Sequence, residues 1–176
     1  VDGIRVLQAA SVRVENCNIV GFTGQGIDWS PSSADGVLTV KNVSTDNCAG
    51  GGVSVVNTSG LGRASIEKSS FHRGAYGVRA GGSGIVSVTD STANGATDGF
   101  LADAGSAQLN LDRCVSTNNT NGLRVDNGAA ARISNCQIST NTAYGLRIVF
   151  GIIETYESNM VRGNPSNDVA TIVSKT

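Results

Sequence analysis

Proline occurs twice in this 176-residue chain, histidine, tryptophan and methionine once each, and aromatic residues make up only 5% of it. A single histidine, His72, and four cysteines at 17, 48, 114 and 136 without a Cys-x-x-Cys pair exclude the usual zinc ligand sets, so no metal and no cofactor are expected. Neither sign of charge is in excess: 13 Lys and Arg stand against 14 Asp and Glu, a net charge of -1. Without a basic face, nucleic acid is excluded as an expected partner. The longest nearly unbroken apolar run, 148–153, is far short of the roughly 18 residues a membrane-spanning helix requires, and no charged-then-apolar leader opens the chain.

What the chain has in abundance is glycine, 23 residues of it, and much of that glycine is periodic. A glycine followed by an apolar-x-apolar triplet begins at Gly3, Gly26, Gly52, Gly77, Gly99, Gly122 and Gly145, at intervals of 23, 26, 25, 22, 23 and 23. Seven repeats of 22 to 26 residues follow, with Val169–Val173 read as an eighth first strand. Each repeat carries a second anchor with alternating neighbours at Val14, Val40, Ile66, Val88, Leu111, Ile133 and Tyr156. A polar step leads to a third inward column of Cys17, Val43, Ser69, Ser91, Cys114, Cys136 and Asn159, and then to Ile19, Thr45, Phe71, Ala93, Ser116, Ile138 and Val161. Period-two alternation means strand, so each repeat holds three short strands. A unit this small cannot bury its own apolar side, so it stacks on its copies about 4.8 Å away, each strand pairing in parallel. The predicted fold is all-β, a single-chain parallel β-helix of about seven coils spanning residues 1–176.

Local chemistry refines this picture. The repeat glycines suit a corner with positive φ, and Asn16, Asn42 and Asn135 suit a tight left-handed bend after the second strand. Cys114 and Cys136 fall in one inward column of adjacent coils, where parallel strands disfavour the dihedral of a disulfide, so stacked buried thiols are expected. Asn118, Asn141 and Asn164 recur before successive repeats and predict an amide ladder along the axis.

Segments such as Val12-Arg13-Val14-Glu15-Asn16-Cys17 and Ala131-Arg132-Ile133-Ser134-Asn135-Cys136 resemble the right-handed parallel β-helix repeat proteins of the pectate-lyase-like superfamily, and the resemblance covers essentially the whole chain. It implies a right-handed coil and a bacterial protein of the cell exterior or envelope. It does not imply one activity, because that superfamily holds lyases, hydrolases, epimerases and adhesins. The adjacent aspartates and Gly-His-Gly of polygalacturonase-like chains are missing here, as is the aspartate cluster of pectate lyases, so no catalytic residue carries over.

The outward position two after each repeat glycine reads Arg5, Asp28, Ser54, Arg79, Leu101, Arg124 and Arg147, and Asp103 and Asp126 lie two residues further on. Strand residues two apart share a face, so Arg79, Asp103, Arg124, Asp126 and Arg147 should form one charged patch, with the two aspartates neighbours along the axis. Such a patch could hold a cation between carboxylates or grip a uronate through its guanidiniums; equally, each Asp could be neutralised by an Arg one coil away. Repeats two and three carry about three extra residues at one corner, in Ser30-Pro31-Ser32-Ser33-Ala34 and Asn57-Thr58-Ser59-Gly60-Leu61-Gly62. These loops offer Trp29, Ser32 and Asn57 as ligand contacts, with Trp29 core or a sugar platform. The expected function is a noncatalytic scaffold or surface-binding module with a polysaccharide partner; the alternatives are a polysaccharide lyase or glycoside hydrolase and a self-assembling structural unit. The sequence shows no cap over either end, which predicts a fragment of a longer chain or a homo-oligomer joined through its coil ends.

Overall fold

The computed structural model describes all residues except 32–34, 59, 157, 169 and 173–176. Every element in the described residues is a β-strand, and every strand pairing is parallel. The chain is a parallel β-solenoid in which each coil contributes a first, a second and a third strand.

First strands carry the column Ile4, Ile27, Val53, Val78, Phe100, Leu123 and Leu146, in register from end to end. Second strands form an eight-stranded sheet from Ser11–Glu15 to Thr171–Ile172. Third strands are short, as in Asn18–Val20 and Gln137–Ser139. In two coils the third strand runs without a break into the next first strand, as Ser70–Gly82 and Thr92–Ala102, which joins third and first strands into one twelve-stranded sheet.

The interior follows from period-two alternation. Val14, Val40, Ile66, Val88, Leu111 and Ile133 stack along the second sheet, and Leu38, Ala64, Val86, Leu109, Ala131 and Ile153 stack beside them. Most of these side chains are fully enclosed, and burying each large one stabilises the fold by about 1.5–3 kcal/mol. Register places Thr155, not Tyr156, opposite Ile133, so Tyr156 falls in the outward column instead of the expected inward one. The expected eighth first strand is also corrected. Ser166 bridges Tyr144 and the Asp168 amide donates to Leu146, but Thr171–Ile172 already pairs with the second-sheet residues Glu154 and Thr155. Val169 and Val173 lie outside the described residues.

The corners have two distinct causes. Between second and third strands every coil from the first to the sixth places one residue in the left-handed region: Asn16, Asn42, Lys68, Asp90, Arg113 and Asn135, with φ between 49° and 54°. Asparagine tolerates this conformation best, yet lysine and arginine adopt it here because the stacked coils on either side hold the bend. The repeat glycines are different. None of the seven has a left-handed φ. A Cβ on Gly77 would lie 2.5 Å from the Gly99 carbonyl oxygen and 2.8 Å from Ala93 Cβ, and one on Gly122 would lie 2.7 Å from the Gly145 oxygen. Glycine recurs because the next coil's backbone and the third-strand column fill the space a side chain would need.

Polar groups in the interior are paired along the axis. The amide ladder runs through Asn119, Asn141 and Asn164, not Asn118, which instead takes the left-handed corner position with φ 57°. Cys114 and Cys136 are buried free thiols, as expected, and donate to backbone carbonyls.

Candidate functional site

The outward columns of the first sheet assemble a polar face on coils four to seven. The residue just before each repeat glycine forms one column, in which Tyr76, Asp98, Asn121 and Tyr144 follow one another on successive coils. Beside it runs the expected column Arg79, Leu101, Arg124 and Arg147. Asp103 and Asp126 stand next in line, each with its amide bonded to the coil below.

Two tyrosine–arginine stacks bracket this face. The Arg79 guanidinium carbon lies 5.9 Å from the centre of the Tyr76 ring, and that of Arg147 lies 5.3 Å from the centre of the Tyr144 ring. Tyr76 is further fixed by lying where a side chain on Gly51 would be, and by accepting a hydrogen bond from Gln25 Nε2 at 3.2 Å. Between the stacks sits Asp98, only 4% exposed. Its Oδ1 accepts from Asn121 Nδ2 at 2.7 Å, and its Oδ2 lies 3.6 Å from Arg124 Nη1. Burial raises the Asp98 carboxyl pKa, against the opposing pull of Asn121 and of the Arg124 and Arg147 charges.

The patch expected from the sequence is therefore present but wired differently. Asp103 is taken by Arg79, at 2.8 Å, and Asp126 by Arg124, at 2.6 Å. The hydrogen bond from Arg124 holds the Asp126 carboxyl below the usual carboxylate range. The two aspartates share a column but do not act as a carboxylate pair, because each is neutralised by its own guanidinium. Arg147 has no carboxylate partner within ion-pair distance among the described residues. Asn121 Oδ1, Asp103 Oδ1 and Arg124 Nε are buried there without hydrogen-bond partners, so one face collects three unspent polar atoms. Among the described residues no group of three or more His, Cys, Asp or Glu side chains is placed to hold a metal ion.

The expected loop contacts are turned inward. Trp29 is fully buried, its ring filling the space left by the absent side chain of Gly36, and it presents no face to solvent. Asn57 is also fully buried, and its Oδ1 accepts from the Gly60 amide at 3.2 Å, closing its own loop. The two inserted corners bind each other through Asp35 Oδ1 and the Leu61 amide, 2.8 Å apart. Ser32 lies outside the described residues. Glu15, Lys41 and Glu67 face one another on successive second strands, where Lys41 lies 3.8 Å from Glu67 and Arg13 takes Glu15 at 2.6 Å, all partly exposed.

Sequence reasoning missed Asp98, Asn121 and the two tyrosines. Their signal was available: Asp2, Gln25, Gly51, Tyr76, Asp98, Asn121 and Tyr144 each precede a repeat glycine, so the same periodicity that found the glycines places them in one column.

Solenoid and face together define a parallel β-helix repeat protein with a polar face on the outward columns of its first sheet. The chain belongs to the family described as right handed beta helix region, which it matches over residues 2–166. No curated protein and no solved structure matches it. Among the described residues no helix is long and apolar enough to cross a membrane.

Proposed function

We propose that this chain is a noncatalytic β-helix module that binds a uronate-bearing polysaccharide on the first-sheet face. The observation that carries the reading is Arg147, a guanidinium stacked on Tyr144 with no carboxylate partner among the described residues. A planar fork held against an aromatic ring is pre-organised for bidentate bonding to a carboxylate. Pentagalacturonate titrated calorimetrically tests this: Arg147→Ala should weaken binding by about tenfold or more, the size of one lost charge-assisted pair. Absence of binding to the unaltered protein, or affinity indifferent to Arg147, would remove the reading.

One observation favours an enzyme instead. Asp98 is a buried carboxyl with a raised pKa beside an arginine, and such a group can serve as a general acid. Release of reducing or unsaturated sugar from uronate and neutral polysaccharides, abolished by Asp98→Asn, would establish a glycoside hydrolase or lyase and displace the binding module.

A further inference from the structure

A second groove, of about 340 Å³, lies on the outer face of the second sheet over coils four to six, a different side of the solenoid from the Arg147 face. Its floor is built from Ser87, Thr89, Asn110, Asp112 and Arg132, and Tyr156 stands at its end. Register explains the geometry: Ser87, Asn110 and Arg132 are partners on successive strands, as are Thr89, Asp112 and Ser134, and Tyr156 follows Ser134 on the next coil. The aromatic ring therefore closes an axial trough whose rungs repeat at the strand spacing of about 4.8 Å.

The ionic groups in this trough are already satisfied. Asp112 accepts from Ser134 Oγ and Asn135 Nδ2, both at 2.8 Å, and pairs with Arg113. Arg132 pairs with Glu154 at 2.6 Å and donates to Gln108 at 3.3 Å. The side chains of Ser87, Thr89 and Asn110, by contrast, have no hydrogen-bond partner among the described residues. The same is true of Ser65 and Thr39, which continue the Ser87 row on the two preceding coils. What remains free is a row of uncharged donors and acceptors over coils two to five, with the engaged Arg132 and Ser134 of coil six between it and Tyr156.

We infer that this groove binds a neutral, extended oligosaccharide lying along the solenoid axis. A polyhydroxylated chain can match hydroxyl and amide groups without bringing a charge, and an extended pyranose unit is about as long as one coil rise. Its terminal ring stacks on Tyr156, whose phenol offers an apolar face with a polar tip. The volume falls within the range of small-ligand sites. This site stands apart from the Arg147 face, in both position and ligand charge.

The test is calorimetric titration of the intact chain with cellohexaose, xylohexaose and mannohexaose, with pentagalacturonate as the acidic comparison. At least one neutral hexaose should bind. Tyr156→Ala should weaken it about tenfold, Tyr156→Phe should largely preserve it, and Asn110→Ala should weaken it several-fold. Asn110 faces outward, so that variant keeps the test valid if Tyr156→Ala impairs folding. Arg147→Ala should leave neutral binding unchanged. Failure of all three hexaoses to bind, binding indifferent to both Tyr156→Ala and Asn110→Ala, or binding lost with Arg147 would overturn the inference.

Discussion

Asn141 Oδ1 accepts two hydrogen bonds from Asn119, one from its backbone N–H at 3.1 Å and one from its side-chain Nδ2 at 3.2 Å. Asn164 treats Asn141 in the same way, at 3.0 and 3.1 Å. Each amide thus replaces the backbone acceptor that the corner takes away.

Replacing Asn141 with alanine leaves the buried Asn119 N–H without an acceptor and removes the donation to the Ser116 carbonyl. A loss of about 2–3 kcal/mol is expected from urea denaturation. Asn118→Ala, at the exposed corner beside it, should cost much less, through its left-handed φ alone.

The repeat glycines should be intolerant for steric reasons. Gly77→Ala meets a backbone oxygen at 2.5 Å and should destabilise by about 3 kcal/mol. Gly21→Ala has nothing within 4 Å and a φ of +81°, so only the conformational penalty of about 1–2 kcal/mol applies. Equal costs for the two would mean that backbone conformation, and not the approach of the next coil, selects the glycine ladder.

Asp98 and Asp126 should respond to pH in opposite senses. The Asp98 carboxyl has a raised pKa, so its contribution is complete below the unfolded value of about 3.9 and is lost as pH rises through the folded value. The stability of the unaltered chain minus that of Asp98→Asn should therefore fall from about pH 4 towards neutrality. Asp126 has a lowered pKa, so its contribution is present above the unfolded value and disappears as pH falls through the folded one. Urea midpoints for both variants across this range would read out the two slopes; parallel slopes contradict the assignment.

Thiol reactivity should divide by burial. Cys48, Cys114 and Cys136 are enclosed, while Cys17 is only partly covered. The hydrogen bond to Cys136 and burial both push the Cys114 thiol up, away from the reactive thiolate. Iodoacetamide on the native chain should modify Cys17 alone by mass spectrometry, and all four only after unfolding.

The coil register was legible because it depends on apolar spacing: every partner in the columns headed by Ile4, Cys17 and Ile19 follows from counting residues between repeats. Tyr156 failed because the coil seven corner differs by one residue, and a one-residue slip exchanges inside for outside. Asn118 and Asn119 are adjacent and chemically alike, so spacing alone could not separate the left-handed corner from the ladder. On the charged face, counting placed Arg79, Arg124 and Arg147 in their column, but partner choice depends on side-chain reach. Arg79 pairs with Asp103 on the next coil, whereas Arg124 pairs with Asp126 in its own.

The uniform register also bears on how such a chain can change length. From the first coil to the sixth the same parallel pairing and the same left-handed corner recur, and each repeat glycine from Gly3 to Gly122 meets the backbone oxygen of the next repeat glycine, so these elements of the stacking do not depend on place. Duplicating one whole repeat, for instance residues 99–121, would restart at Gly99 after Asn121, the same Asn–Gly junction that Gly122 makes now. All three columns would remain continuous. The Arg79–Asp103 and Arg124–Asp126 pairs would persist, but the copied Asp103 would find Leu101, and no arginine, in that column of the coil below. Interior architecture can thus be inherited by copying, while the surface chemistry must be renewed residue by residue.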